Sequence, residues 1–171
     1  MFKYGNIVFR AVEEDDLKML YYMRRDEDIN NMLFTLYPIS MFNQKNWLQS
    51  MLNSQTDKVF MVDEVENWTI GCVRLSNIDF VNRKVEVGCD IQENHRGKGY
   101  CSKIYDSLLQ YCFNEMGMNQ VYLHVLSKNT NAIKCYESVC FKKVCVLKEW
   151  VWKSGSYQDV ELFSVFSKDY K

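Results

Sequence analysis

The chain has 171 residues, of which 47% are hydrophobic, and its 21 basic and 22 acidic side chains leave a net charge of −1. That length suits one domain spanning residues 1–171, and the apolar content excludes a disordered chain, so neither a metal nor a disulfide is required for folding. The interspersed charges lack the dense basic stripe of a nucleic-acid binder, and no apolar run approaches the ~20 residues of a membrane-spanning helix.

The opening MFKYGNIVFR lacks the apolar core of a signal peptide and reads as a first strand, with its apolar part at residues 7–10. Acids Glu13 to Asp16 then precede a helix whose buried face carries Leu17, Leu20 and Tyr21. The run from Arg24 to Asp28 mixes signs and reads as a solvated helix face. A second helix passes through Ile29, Met32 and Leu33 and stops before Pro38; a third runs from Asn43 to Leu52. Strands at 59–65 and 69–78 are joined by the polar turn Glu66-Asn67.

KVEVGCDI, residues 84–91, alternates cleanly, with Val85, Val87, Cys89 and Ile91 on one face and Glu86, Gly88 and Asp90 on the other. The clearest helix covers 98–116, where Tyr100, Ile104, Tyr105, Leu108, Leu109 and Cys112 form a stripe at helical spacing and Gly117 is placed to end it. VYLHV at 121–125 reads as a fully apolar strand, with His124 a structural residue. Asn129 is an N-cap for a short helix carrying Ala132, Ile133, Tyr136 and Val139. Strands at 142–153 and 157–167 close the chain around Ser154-Gly155-Ser156, a hairpin signal. The order β-α-α-α-β-β-β-α-β-α-β-β implies a mixed α/β sheet.

Seven cysteines and two histidines, without paired ligand spacing, give no metal site. The cysteines are expected to be reduced, used as small hydrophobes in a cytoplasmic protein. Trp150 and Trp152 recur at period 2, and Trp47 lies in the expected third helix. Packing is the plain reading of all three; a stacking wall or a contact between copies in a homo-oligomer is the sharper one.

The richest stretch is CDIQENHRGKGYC, residues 89–101, where a strand ends and Gly97 and Gly99 open the long helix. Glycine lets backbone approach a ligand closely, and first-turn N–H groups without intrahelical partners favour a phosphate or pyrophosphate. Arg96 and Lys98 add charge. A P-loop is excluded because Tyr100-Cys101 stand where Lys-Ser/Thr is needed, and Ser102 removes the third glycine of a dinucleotide fingerprint.

RGKGYC, residues 96–101, fits the pyrophosphate loop Q/R-x-x-G-x-G/A of the GNAT acetyltransferase superfamily, with Cys101 at the small-residue position. The family's N-x-x-A-x-x-x-Y-x-x-x-G-F helix is matched by Asn129, Ala132, Tyr136 and Phe141, with Cys140 replacing the glycine. Two motifs in order and at the expected separation identify the chain as resembling this superfamily over nearly its whole length. The closing KEWVWKSGSYQDVELFSVFSKDYK, with QVYLHV and FRAVEEDDL, is similar to the branch holding spermidine, ribosomal-protein and amino-sugar acetyltransferases.

The resemblance implies a GNAT fold, a mixed and mostly antiparallel sheet splayed at the cofactor site with helices on both faces. It implies acetyl-CoA as cofactor, held by the strand backbone at Cys89, Asp90 and Ile91, by the loop Arg96, Gly97, Lys98, Gly99, Tyr100 and Cys101, and by Asn129. Tyr136 is the expected acid, since a phenol stays protonated at neutral pH and can give its proton to sulfur. Glu86 is the expected base, with Asp90 behind it; pairing with Arg74 or Arg83 is the competing reading of Glu86. The expected reaction is direct attack by the primary amine of a small molecule (a polyamine, diamine or amino sugar). The alternatives are acetylation of a ribosomal protein or a protein N-terminus, and a silent acyl-CoA-binding module. No acid lies between Asp28 and Asp57, and Asn77 stands where the branch carries an acid, which favours an amino sugar or monoamine over spermidine.

Overall fold

The computed structural model describes residues 1–35, 37–65 and 68–170; the expected turn Glu66-Asn67 lies outside them. Among the described residues, eight strands form one sheet in the order β1-β2-β3-β4-β5-β6-β8-β7. The strands are β1 (Phe2–Tyr4), β2 (Ile7–Arg10), β3 (Lys58–Glu64), β4 (Trp68–Asp79), β5 (Lys84–Ile91), β6 (Gln120–Leu126), β7 (Lys142–Lys153) and β8 (Ser156–Phe166). Only β5 and β6 pair in parallel; every other neighbouring pair is antiparallel. The helices are α1 (Leu17–Arg25), α2 (Glu27–Met32), α3 (Met41–Asn53), α4 (Tyr100–Gln110) and α5 (Thr130–Ser138).

The two sheet faces carry separate cores, and the alternation of β5 sorts residues between them. Val85 and Val87 join Val73, Leu75, Val121 and Leu123 beneath Ile104, Tyr105 and Leu108 of α4. On the opposite face, Leu20 and Met23 of α1 and Leu48 and Met51 of α3 cover Val59, Met61 and Cys72. Each fully buried large aliphatic side chain contributes ~1.5–3 kcal/mol relative to exposure. Arg10 ties the second face together, donating to Asp16 before α1 (2.6 Å) and to Asp63 of β3 (2.7 Å).

Three local readings change. The first strand is a hairpin: Gly5 takes φ +56°, so Phe2–Tyr4 folds back on Ile7–Phe9. The long helix is α-helical only to Gln110 and continues as a π-helical turn over Tyr111–Glu115, before Gly117 at φ +65° ends it. Trp150 and Trp152 do not pack inside; they are 62% and 55% exposed on the edge strand β7, whereas Trp47 does pack against the α1–α3 core. The closing hairpin turns through Ser154 (φ +52°) and Gly155 (φ +77°), the pair of positive φ values that a two-residue turn between twisted strands favours.

Candidate active site

β5 and β6 are in register only at Lys84↔Gln120, Val85↔Val121 and Glu86↔Tyr122. Beyond Glu86 they diverge, and an open cleft of about 890 Å³ occupies the gap, bounded by α2, α4 and α5. Cys89, Asp90 and Ile91 line it from the β5 side, and their backbone has no partner on β6.

The loop before α4 forms one end. Gly97 and Gly99 have φ +71° and +79°, conformations that L side chains rarely adopt, and a Cβ on either would project into empty space. Gly99 is the N-cap of α4 and no side chain caps the helix, so the first-turn N–H donors are left for a ligand. Gly97, Gly99, Tyr100, Cys101 and Asn129 all line the cleft, as does Arg96; Lys98 is exposed and does not. Ser102 and Lys134, which the motif reading left out, line it too. This uncapped, side-chain-free cradle of donors, continuous with the open β5 edge, fits a pyrophosphate with an extended arm running into the sheet.

α5 brings Tyr136 to the same cleft. Asn129 caps the helix, its side chain accepting from the Ala132 N–H at 3.2 Å. The other end closes without the family's glycine: Cys140 takes φ +71°, and the Phe141 N–H reaches back to the Tyr136 carbonyl at 3.1 Å. This is the six-to-one bond of a Schellman motif, with Tyr136 at its third-last helical position and its ring 6.0 Å from that of Phe141. The left-handed cysteine costs ~1–2 kcal/mol. Edge contact with Tyr105 (ring centroids 5.1 Å apart) fixes the ring further. Burial pushes the Tyr136 phenol up to about 12, against the opposing pull of the Tyr105 hydroxyl, so it is protonated at neutral pH.

The acids take partners the sequence did not assign. Asp90, 7% exposed, forms an ion pair with Arg74 of β4. Gly88 permits this, since a Cβ there would sit 3.1 Å from the guanidinium. Burial works against the charge on Arg74, but Asp90 outweighs it and holds the guanidinium above its ordinary range. Asp90 is therefore not a free base. Arg83 donates instead to the Gly117 carbonyl at 2.6 Å, so neither arginine pairs with Glu86. Arg96 pairs with Asp26 (3.0 Å) and Asp28 (3.3 Å), so the charge run after α1 is not simply solvated.

Glu86 does not line the cleft; His124 does. Glu86 Oε1 lies 2.7 Å from His124 Nδ1, and Oε2 accepts from Asn77 Nδ2 at 2.8 Å. A β-bulge between Ser76 and Asp79, with Asn77 at φ +52°, re-aims that amide. The His124 bond holds the Glu86 carboxyl below its usual value, burial opposing and Asn77 reinforcing. The lowered value means this pairing stabilises the fold above the unfolded carboxyl's pKa and is lost as falling pH protonates Glu86. The signal for His124 was present: Tyr122 and His124 alternate with the buried Val121, Leu123 and Val125, so β6 has a polar face.

The cysteines are not all reduced. Cys101 and Cys135, 34 residues apart, form a disulfide linking α4 to α5 with Cα atoms 6.3 Å apart, because the packing of those helices brings both to the cleft wall. Cys72, Cys89, Cys112, Cys140 and Cys145 are free, and burial pushes the Cys89 thiol well above its ordinary range, with Asp90 adding to it. Among the described residues there is no cluster of three or more metal-ligating side chains and no helix long and apolar enough to cross a membrane.

A family model described as an acetyltransferase (GNAT) domain matches residues 6–142. A spermidine N(1)-acetyltransferase of Vibrio cholerae is 27% identical over 167 residues, covering 97% of this chain and 96% of that protein. The crystal structure of a V. cholerae spermidine N-acetyltransferase in complex with CoA and spermine superposes with a TM-score of 0.91 at 25% identity, over 98% of this chain and 99% of that one. A dodecameric structure of spermidine N-acetyltransferase from the same organism matches with a TM-score of 0.82 at 25% identity, covering 96% of each chain.

Proposed function

Because the chain belongs to the GNAT acetyltransferase family and uses acetyl-CoA to acetylate an amine, we propose that its acceptor is the primary amine of a small, weakly charged molecule such as an amino sugar or monoamine. The observation that carries this reading is the state of the carboxylates around the cleft. Asp90 is neutralised by Arg74, and Arg96 offsets one of the two negative charges of Asp26 and Asp28. Arg24, partly buried near Arg74, adds a further positive charge on the α1 side. A polycation would meet a surface with little net negative charge to hold several ammonium groups. The exposed aromatic rings of Phe34 and Tyr37, on the segment after α2, suit a flatter, less charged acceptor.

Acetyl-CoA supplies the activated acetyl thioester. The uncapped α4 terminus with Gly97 and Gly99 binds its pyrophosphate, the free β5 backbone at Cys89, Asp90 and Ile91 holds its arm, and Arg96, Tyr100, Cys101 and Asn129 complete the wall. Tyr136 delivers a proton to the departing sulfur. The Glu86–His124 couple receives the proton that the acceptor ammonium must lose. Cys89, a neutral thiol, and Cys101, tied to Cys135, are unsuited to a covalent relay, which favours direct attack by the amine. Acetyl-CoA use and five free cysteines support a cytoplasmic location, in which the Cys101–Cys135 disulfide is the exception. The exposed β7 face, with Val144, Val146, Trp150 and Trp152, suits contact between copies of the chain in a homo-oligomer, and a similar protein is dodecameric.

Steady-state assays with acetyl-CoA, detecting released thiol, would test the acceptor class on spermidine, spermine, simple monoamines and amino sugars. The expected result is a higher kcat/KM for an amino sugar or monoamine. Efficient, sigmoidal turnover of spermidine would overturn the charge argument.

A further inference from the structure

The base in the proposed reaction must reach a nitrogen inside the cleft, and Glu86 is poorly placed for that. Both its oxygens are engaged, by Asn77 and by His124, and it does not line the cleft. The imidazole does. His124 lies two residues beyond Tyr122, the last residue of β6 in register with β5, so its ring stands where the strands begin to part. With Nδ1–H donating to Glu86, the ring holds its lone pair on Nε2. A carboxylate on one ring nitrogen selects that tautomer, steadies the ring and offsets the charge it gains on protonation.

We propose that His124 is the catalytic base, accepting the proton of the acceptor ammonium at Nε2, and that Glu86, braced by Asn77, is the positioning residue that sets its tautomer. This rests on the acetyltransfer reading above. Glu86 approaches the ring from β5 at 2.7 Å, and Tyr122, on β6 beside His124, has its ring centroid 5.9 Å away. The register partner on β8, Leu162, is uncharged.

The proton count closes with these groups. The amine nitrogen loses two protons, forms its bond to the acetyl carbon, and the carbon–sulfur bond breaks. His124 takes one proton and passes it to solvent. The other replaces the proton that Tyr136 gives to sulfur.

Two measurements test the assignment. The chain has two histidines, so nitrogen–proton correlation spectra of the free protein are readily assigned by the His95→Gln variant. At mildly alkaline pH, His124 is expected as the Nδ1–H tautomer in the wild type and no longer locked in that form in Glu86→Gln; an Nε2–H tautomer in the wild type overturns the proposal. In pH–rate profiles with an amine the wild type accepts, His124→Gln is expected to lower kcat by ~10²–10⁴-fold and abolish the acidic limb. Glu86→Gln should lose only about 10-fold, below the ~10²–10⁴-fold of losing the base itself, and keep a limb. Added imidazole should restore part of the activity of His124→Gly. The reverse pattern, with the limb kept in His124→Gln and lost in Glu86→Gln, returns the base to Glu86 while leaving acetyltransfer intact. A wild type that binds CoA but acetylates no amine overturns both.

Discussion

The two sides of the cleft are built by different means. The side proposed for the cofactor, from β5 through α5, is a run of near neighbours in sequence: a strand, a glycine loop on a bare helix terminus, and a capped helix closing at Cys140. The side proposed for the acceptor is assembled from afar. Arg74 reaches Asp90, Arg96 reaches Asp26 and Asp28, and Lys153 at the hairpin tip donates to the carbonyls of Asn30 (2.6 Å) and Leu33 (2.5 Å). A local motif can be rebuilt in many sequences and keeps one ligand; a site made of distant pairings changes its charge with each substitution.

The largest effect that would test this division lies on the cofactor side. Tyr136→Phe should lower kcat by ~10²–10⁴-fold while CoA affinity by calorimetry stays unchanged, since the ring and its packing remain. A variant within threefold of wild type would remove the phenol from the chemistry.

Next in size is Arg74→Met, which strands a buried carboxylate. It should destabilise the protein by ~3–5 kcal/mol in chemical denaturation, and Arg74→Met/Asp90→Leu should recover most of the loss. If the single variant unfolds like wild type, the Arg74–Asp90 pair is not what holds this part of the cleft wall.

The smallest concerns the hairpin tip. Lys153→Met removes an ammonium that fastens the segment after α2, and should raise the acceptor KM about threefold, the scale of one lost hydrogen bond to a charged group partly replaced by water. The acetyl-CoA KM should not move. Equal changes in both constants would show that the two sides are not separable.

The same division explains what the sequence disclosed. Asn129, Tyr136 and the RGKGYC loop were legible because helix caps and bare helix termini depend on residues a few positions apart. The β5 alternation was legible for the same reason. Glu86 was found, but not its partners: Asn77 reaches it through a bulge and His124 across a parallel strand pair, neither of which has a sequence period. Cys101 and Cys135 looked unpaired because their meeting depends on how α4 lies against α5. Trp150 and Trp152 looked like core because period 2 identifies a face without saying what covers it.

The sheet is best thought of as two plates meeting at a short seam. β1–β5 form one and β6–β8 the other, and the seam is the three residue pairs between β5 and β6. Beyond that seam α4 packs over the sheet, its Ile104, Tyr105 and Leu108 sharing one buried core with Val85 of one plate and Val121 of the other. Close-packed interiors transmit volume changes as small as one methylene. The opening proposed for acetyl transfer is therefore gauged in large part by core side chains, and the tolerances of that chemistry would be inherited from the core.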